Sequence, residues 1–274
     1  MDVVHDTSLG LYWEQSPSTT RRSWSDSQTH CSNLGSGWRL PTLVELEASL
    51  VDVGRASDPY IVGGSGGSNL FDNVQSSNYW TDTRYSIFRA YSVRFNDGRS
   101  SADFASFNFH YALCVKEDSN YDVIWNTTQK YPYEGGLGQE RVGGEFIEDA
   151  SECGGSGTMY DTITNLCWEK SPSTSSYEHS NAQSHCSGVA TAGGGWRLPE
   201  KAELMTLLYH DGTGSTETRL NSIGFSGIQN DYYWSNTLDA FSSSFVYAVG
   251  FYHGYSSAGY VTHSLSALCV KTAP

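Results

Sequence analysis

The sequence predicts an α+β protein built as two tandem copies of one domain, and three observations carry that reading. Residues 10–19, GLYWEQSPST, return as NLCWEKSPST at 165–174. ALCVK at 112–116 returns at 267–271 with the same offset. Between these anchors WRLP at 38–41 matches 196–199, Phe71 matches Phe225, and Tyr79-Trp80 matches Tyr233-Trp234, so the loops differ slightly and the framework does not. The unit is about 120 residues, a common domain size that can bury its own core and is too long for a solenoid repeat. We therefore expect one domain over 1–118, an ordered linker over 119–150 and a second domain over 151–274.

Each copy opens with a short strand ending at Trp13 or Trp168, followed by the turn formers Ser-Pro-Ser-Thr. A first helix comes next: in SWSDSQTHC, Trp24, Gln28 and Cys31 share one face, and SYEHSNAQSHC at 176–186 takes that place in the second copy. A second helix follows WRLP, with Leu43, Leu46 and Leu50 at helical spacing and AELMTLLYH as its counterpart. Proline just ahead of it suits the first helical turn. Arg39 with Glu45, repeated as Arg197 with Glu203, reads as a half-buried ion pair locking this helix onto the sheet rather than as a catalytic pair. Polar glycine-rich loops at 61–69 and 211–217 lead into Tyr-Trp. AYSVRF at 90–95 and VYAVGF at 246–251 then alternate with period two, placing Tyr91, Val93 and Phe95, and Tyr247, Val249 and Phe251, on a core face. Asp97-Gly98 and His253-Gly254 supply the hairpin turns, and ALCVK closes each copy.

The six cysteines fit the duplication. Cys31 to Cys114 and Cys186 to Cys269 span equal lengths, which predicts one bridge per domain from an early element to the last strand. Six cysteines allow fifteen pairings in principle; the repeat leaves Cys153–Cys167 as an extra staple at the start of domain two. Repeated, pairable cysteines point to an oxidising compartment, so a secreted or cell-surface protein is expected. Residues 1–20 hold no basic segment followed by an apolar run, and we expect the chain to be a piece of a larger exported protein. The net charge of −14 is spread over both repeats and the segment between them. Such a surface repels phosphate backbones and anionic membranes, so neither nucleic acid nor membrane insertion is expected. Eight tryptophans and 14% aromatic residues argue for packed cores despite the acidity.

The combined motifs D-x-x-x-x-L-x-W-E, a helix ending in Cys, W-R-L-P-x-x-x-E-L, Y-W-[ST], an alternating strand and a closing C-V-K resemble the Lcl C-terminal domain family, named for a collagen-like bacterial adhesin. The first copy carries them at Asp6, Leu11, Trp13, Cys31, 38–41, Glu45, Leu46, Trp80 and Cys114. The second does so at Asp161, Leu166, Trp168, Cys186, 196–199, Glu203, Leu204, Trp234 and Cys269. The resemblance implies two tandem C-type-lectin-like domains. In each, two helices flank a small twisted, mostly antiparallel sheet, and a long loop region displays the ligand surface. The shared residues are scaffold.

No enzyme is expected. The equal spans assign every cysteine to structure, the eight histidines are scattered rather than clustered as H-E-x-x-H, and with so many serines an apparent match to a nucleophile with its base and acid is chance. The resemblance to C-type lectins raises calcium, but the E-P-N, Q-P-D and W-N-D tripeptides that supply its oxygen ligands there do not occur. Asp82 and Asn236, in YWTDT and YWSNT, are the weak candidate ligands, and no cofactor is required. The copies differ most where Arg84, Arg89, Arg94 and Arg99 face approximately Leu238, Ser244, Gly250 and Tyr255. Copy two carries Tyr252, His253 and Tyr255 around its turn instead. Arg84, Arg89, Arg99, Tyr252, His253 and Tyr255 are therefore the candidate ligand-binding residues. The expected function is a non-catalytic binding module of a bacterial surface protein or adhesin, recognising a glycan or cell-surface protein. The family suggests sulfated polysaccharide, whereas a charge of −14 favours a neutral glycan or a protein. The alternative is a structural or assembly module without a ligand. Within the linker, Val123, Ile124, Trp125, Tyr131 and Tyr133 are expected to pack on a domain, and Asn126 matches a glycosylation acceptor.

Overall fold

The computed structural model describes residues 2–6, 10–49, 71–118, 146–208, 215–239 and 242–274. The chain divides into two compact units, Met1–Gln139 and Glu140–Pro274. Leu50, the glycine-rich loop at 61–69 and the linker aromatics, with Asn126, lie outside the described residues.

The first unit runs β1 (Val3–Asp6), β2 (Leu11–Glu14), α1 (Trp24–Ser32), α2 (Leu43–Ser49), β3 (Asn78–Ser86), β4 (Arg89–Arg94), β5 (Arg99–Phe104) and β6 (Val115–Glu117). These strands form two antiparallel sheets, β1-β2-β6 and β3-β4-β5. Helix α1 starts where Ser23 accepts a hydrogen bond from the Asp26 N–H, and it buries Trp24, Ser27 and Cys31 along one stripe. Helix α2 starts in a capping box: the Thr42 N–H donates to Glu45 Oε2 at 2.8 Å and the Glu45 N–H donates to Thr42 Oγ1 at 3.2 Å. The core packs Trp24, Cys31, Leu40, Trp80, Ala90, Ala112 and Cys114 together.

The second unit repeats the plan with additions. It runs β7 (Phe146–Glu148), β8 (Thr158–Asp161), β9 (Leu166–Glu169), β10 (Ser176–Tyr177), α3 (His179–Gly188), α4 (Lys201–Thr206), α5 (Thr216–Ser222), β11 (Tyr232–Leu238), β12 (Phe245–Gly250), β13 (Tyr255–Tyr260), β14 (Leu265–Ser266) and β15 (Val270–Thr272). Its sheets are β15-β9-β8-β7 and β10-β14-β11-β12-β13. All three disulfides pair as the repeat predicts: Cys31–Cys114 and Cys186–Cys269 each close 83 residues, and Cys153–Cys167 closes 14.

Both units are α+β, but three details depart from the sequence reading. Among the described residues each has two small sheets rather than one, because the opening and closing strands pair with each other and not with the central hairpin. Phe146–Glu148, within the stretch read as linker, pairs with β8 as the edge of the second unit's first sheet. The stretch read as a loop ahead of Tyr233-Trp234 contains α5, capped by Ser215 and burying Thr216 and Leu220. Its polar composition hides that short apolar face. Strands β4 and β12 are buried on both faces, so Ala90, Ser92 and Ala248 are as enclosed as Tyr91, Val93 and Val249. Among the described residues, no helix is long and apolar enough to cross a membrane.

Candidate functional site

The two copies share a collar that fixes helix α2 or α4 to the sheet. The β3–β4 and β11–β12 ladders shift register after Trp80 and Trp234, leaving Thr81–Thr83 and Ser235–Thr237 out of regular pairing. In those bulges the Asp82 N–H donates to the Pro41 carbonyl and the Asn236 N–H to that of Pro199, both at 2.7 Å. Thr83 and Thr237 hydroxyls accept the Leu43 and Lys201 N–H groups at 2.8 Å. The Gln28 amide donates to Asp82 at 2.6 Å and the Gln183 amide to Asn236 at 2.9 Å. Burial pushes the Asp82 carboxyl up against the Gln28 hydrogen bond that favours its ionised form. The two weak calcium candidates thus occupy equivalent places in each unit, each engaged by its own first helix.

The hairpin ends are where the copies part. The ladder pairs Arg94 with Arg99 and Arg89 with Phe104 in the first unit, and Gly250 with Tyr255 and Phe245 with Tyr260 in the second. Arg89 is therefore matched by Phe245 and not by Ser244, a one-residue correction that the shorter loop before β4 concealed. In the first unit Arg94 and Arg99 both pair with Asp97, the latter at 3.7 Å. Arg84 lies over the Trp24 ring at 4.1 Å and Arg89 over the Phe104 ring at 4.3 Å. The four arginines are spread along one hairpin, and each is engaged within its own domain.

In the second unit the same end is aromatic. Tyr232 replaces Asn78 opposite the position that Arg94 holds in copy one, where Gly250 now stands. A Cβ at Gly250 would come within 2.9 Å of the Tyr232 ring, so the glycine makes room for that ring across the strand. Tyr232 hydrogen-bonds Tyr255, and burial together with that bond pushes its phenol up. His253 stacks on Tyr255 at 5.3 Å and 23°, and Tyr252 meets His253 edge-on at 4.6 Å. Tyr252 is 59% exposed and forms the outward rim. Tyr252, His253 and Tyr255 are thus brought together, with Tyr232 as a floor that sequence analysis missed. The signal was a tyrosine doublet, Tyr232-Tyr233, facing a glycine inside an otherwise apolar strand.

Gly250→Ala tests the arrangement: overpacking is expected to cost about 1–3 kcal/mol and to break the Tyr232–Tyr255 hydrogen bond. The thermal midpoint of the second unit and its tyrosine near-ultraviolet signal would both change. An unaltered tyrosine signal would show that the glycine does not seat the ring.

A second kind of cluster lies beneath the long disulfides. Among the described residues, groups of three or more His, Cys, Asp or Glu with ligating atoms within 4.8 Å of one another occur at Glu14, His30 and Cys114 and at Glu169, His185 and Cys269. Burial pushes the Glu14 and Glu169 carboxyls up to about 7, against hydrogen bonds from the Cys114 and Cys269 N–H groups. Burial pushes both imidazoles down.

The Lcl C-terminal domain matches residues 2–116 and, a second time, residues 157–271. No curated protein matches the chain.

Proposed function

We propose, from the premise that the chain belongs to the Lcl C-terminal domain family, that it is an extracellular, non-catalytic binding module of a bacterial surface protein or adhesin. In this reading each copy is a C-type-lectin-like domain, and the ligand is a glycan or a cell-surface protein met at the hairpin end of the second copy. One observation carries the reading: on the same collar, hairpin and disulfide, copy one ends in the Arg94–Asp97–Arg99 ion cluster and copy two in a tyrosine-histidine platform. Asn78, Arg94 and Arg99 are matched by Tyr232, Gly250 and Tyr255, three differences that meet on the paired strands and together build one surface.

The platform suits the apolar face of a pyranose. Rigid aromatic rings lose little entropy on binding, and their hydroxyls and the imidazole meet sugar hydroxyls at the edge. The platform is built of tyrosines and a histidine rather than of arginines or lysines, which fits a neutral glycan better than a sulfated one. No cofactor is needed for this chemistry. In copy one, the engagement of Arg84, Arg89, Arg94 and Arg99 inside the domain favours a structural role there.

A glycan array run with calcium and again with chelator tests the proposal. Chelator-insensitive binding is expected, weakened roughly tenfold by Tyr252→Ala through loss of a stacking contact. Because Tyr252 is largely exposed, the variant is expected to melt as the parent does. Binding that vanishes with chelator would move the site to Asp82 and Asn236, and silence under both conditions would overturn the glycan reading in favour of a protein partner or the assembly-module alternative.

A further inference from the structure

The Glu–His clusters beneath the long disulfides have no part in ligand recognition at the hairpin end, yet both copies build them. Glu14 and Glu169 are 5% and 9% exposed, and each leaves Oε2 buried without a hydrogen bond. His30 and His185 likewise leave Nε2 buried without one. A buried polar atom without a partner costs about 1–3 kcal/mol, and here two face one another in each domain. The third member of each group is the sulfur of Cys114 or Cys269, already bonded to Cys31 or Cys186.

We propose that, once its disulfide is reduced, each domain binds one thiophilic divalent cation such as zinc through two thiolates, one imidazole and one carboxylate: Cys31, Cys114, His30 and Glu14 in the first, Cys186, Cys269, His185 and Glu169 in the second. Reduction by a phosphine converts the sulfur–sulfur bond to two thiols, with water supplying the oxygen of the phosphine oxide. The cation then displaces both thiol protons. The donor set is one that zinc accepts: the Glu, His and Cys114 or Cys269 ligand atoms lie within 4.8 Å of one another, the fourth sulfur is bonded to the third in the oxidised chain, and side-chain rotation after reduction brings the set to the roughly 3.5 Å separations of a tetrahedral site. Outer contacts are in place. The Cys114 and Cys269 N–H groups hold the carboxylates, and Tyr177 stacks on His185 at 4.7 Å with its hydroxyl 3.4 Å from Nδ1. The disulfide and the cation are thus alternative locks on one set of side chains.

The two sites are not equal. In copy one the Arg22 carbonyl accepts the Trp80 indole N–H, and in copy two the Tyr177 carbonyl accepts that of Trp234 in the same place. Tyr177 also stacks on His185 and sets its hydroxyl 3.4 Å from Nδ1, which orients that imidazole, so the second site should bind the cation more tightly.

The test uses the full chain carrying Cys153→Ser and Cys167→Ser, so that the remaining four cysteines belong to the two sites. Under phosphine reductant, cobalt(II) is expected to load two per chain with tetrahedral ligand-field bands and thiolate charge transfer, the second domain first. Zinc is expected to displace it and to raise the thermal midpoint of the reduced chain by on the order of 10 °C at a thousandfold excess over Kd. Should reduction unfold a domain, zinc is expected to restore its near-ultraviolet tryptophan signal. His185→Ala should remove one cobalt and Glu169→Gln weaken that site more than tenfold, while both oxidised variants melt as folded proteins. Uptake indifferent to the His and Glu variants, failure of zinc to stabilise or refold the reduced chain, or equally tight zinc binding by the oxidised chain would each overturn the proposal.

Discussion

Arg39→Leu is expected to destabilise the first domain by about 3–5 kcal/mol, the cost of leaving a buried carboxylate without its partner. The guanidinium grips Glu45 with two parallel hydrogen bonds of 2.8 Å and donates a third to the Leu40 carbonyl. Glu45 is 1% exposed, and its carboxylate also accepts the Thr42 N–H that starts α2. Burial alone would raise the Glu45 carboxyl; Arg39 and Thr42 outweigh it, and the group sits below its ordinary value. A depressed acid contributes stability above its unfolded pKa and loses it as pH falls through the folded one. In Arg39→Leu the burial of Glu45 is no longer offset by the guanidinium, so the carboxyl becomes easier to protonate and the variant regains ground in acid. The gap between parent and variant should be widest near neutrality and narrow as pH falls through the ordinary carboxylate range. Arg197 and Glu203 repeat the fork at 2.7 Å with side chains 41% and 20% exposed, so Arg197→Leu should cost about 1 kcal/mol. Denaturant titrations at neutral and acidic pH decide it. Equal losses in the two domains, or a gap that does not close in acid, would show that the pair is not held by burial.

This contrast between identical motifs explains what was legible in the sequence. Scaffold positions announce themselves twice: WRLP, Trp80 and Trp234, and the equal cysteine spans all sit where two copies must solve the same packing problem. Strand pairing across long loops left no such mark. The separation of β1-β2-β6 from β3-β4-β5 depends on which edges meet, and alternation within a strand does not encode that. Helix α5 was missed because only Thr216 and Leu220 turn inward. At the hairpin end, Tyr252, His253 and Tyr255 could be found by comparing copies, since they replace polar or charged residues at matched positions. Tyr232 also replaces a polar residue, Asn78, at a matched position, but its role becomes plain only once the ladder sets it across from Gly250, whose missing side chain leaves room for the ring. The Glu–His clusters were invisible for a related reason. Glu14 and His30 are neighbours through the Cys31–Cys114 bridge and not through sequence, and each alone reads as an ordinary strand or helix residue.

Removing the long disulfides should have the other large effect, and the comparison among bridges identifies its origin. Cys31→Ala with Cys114→Ala frees an 83-residue loop, for which the loop-entropy relation gives about 4.5 kcal/mol. Cys186→Ala with Cys269→Ala frees an equal loop in the second domain. Cys153→Ala with Cys167→Ala frees 14 residues, and the same relation gives about 3 kcal/mol. The entropic account therefore orders the three variants as two equal large losses and one smaller. Packing would order them differently. Cys31 and Cys114 sit fully buried among Trp24, Leu40, Trp80 and Ala90, and Cys186 and Cys269 share a larger cluster with Trp196, Trp234, Val246 and Cys153–Cys167 themselves. If lost sulfur contacts dominate, the second domain should suffer more from either of its bridges, and the 14-residue bridge should cost as much as the long one. Unfolding by guanidinium, followed through tryptophan fluorescence for all three paired variants, separates the accounts: near-equal losses for the two long bridges support chain entropy, and a second-domain excess supports core packing.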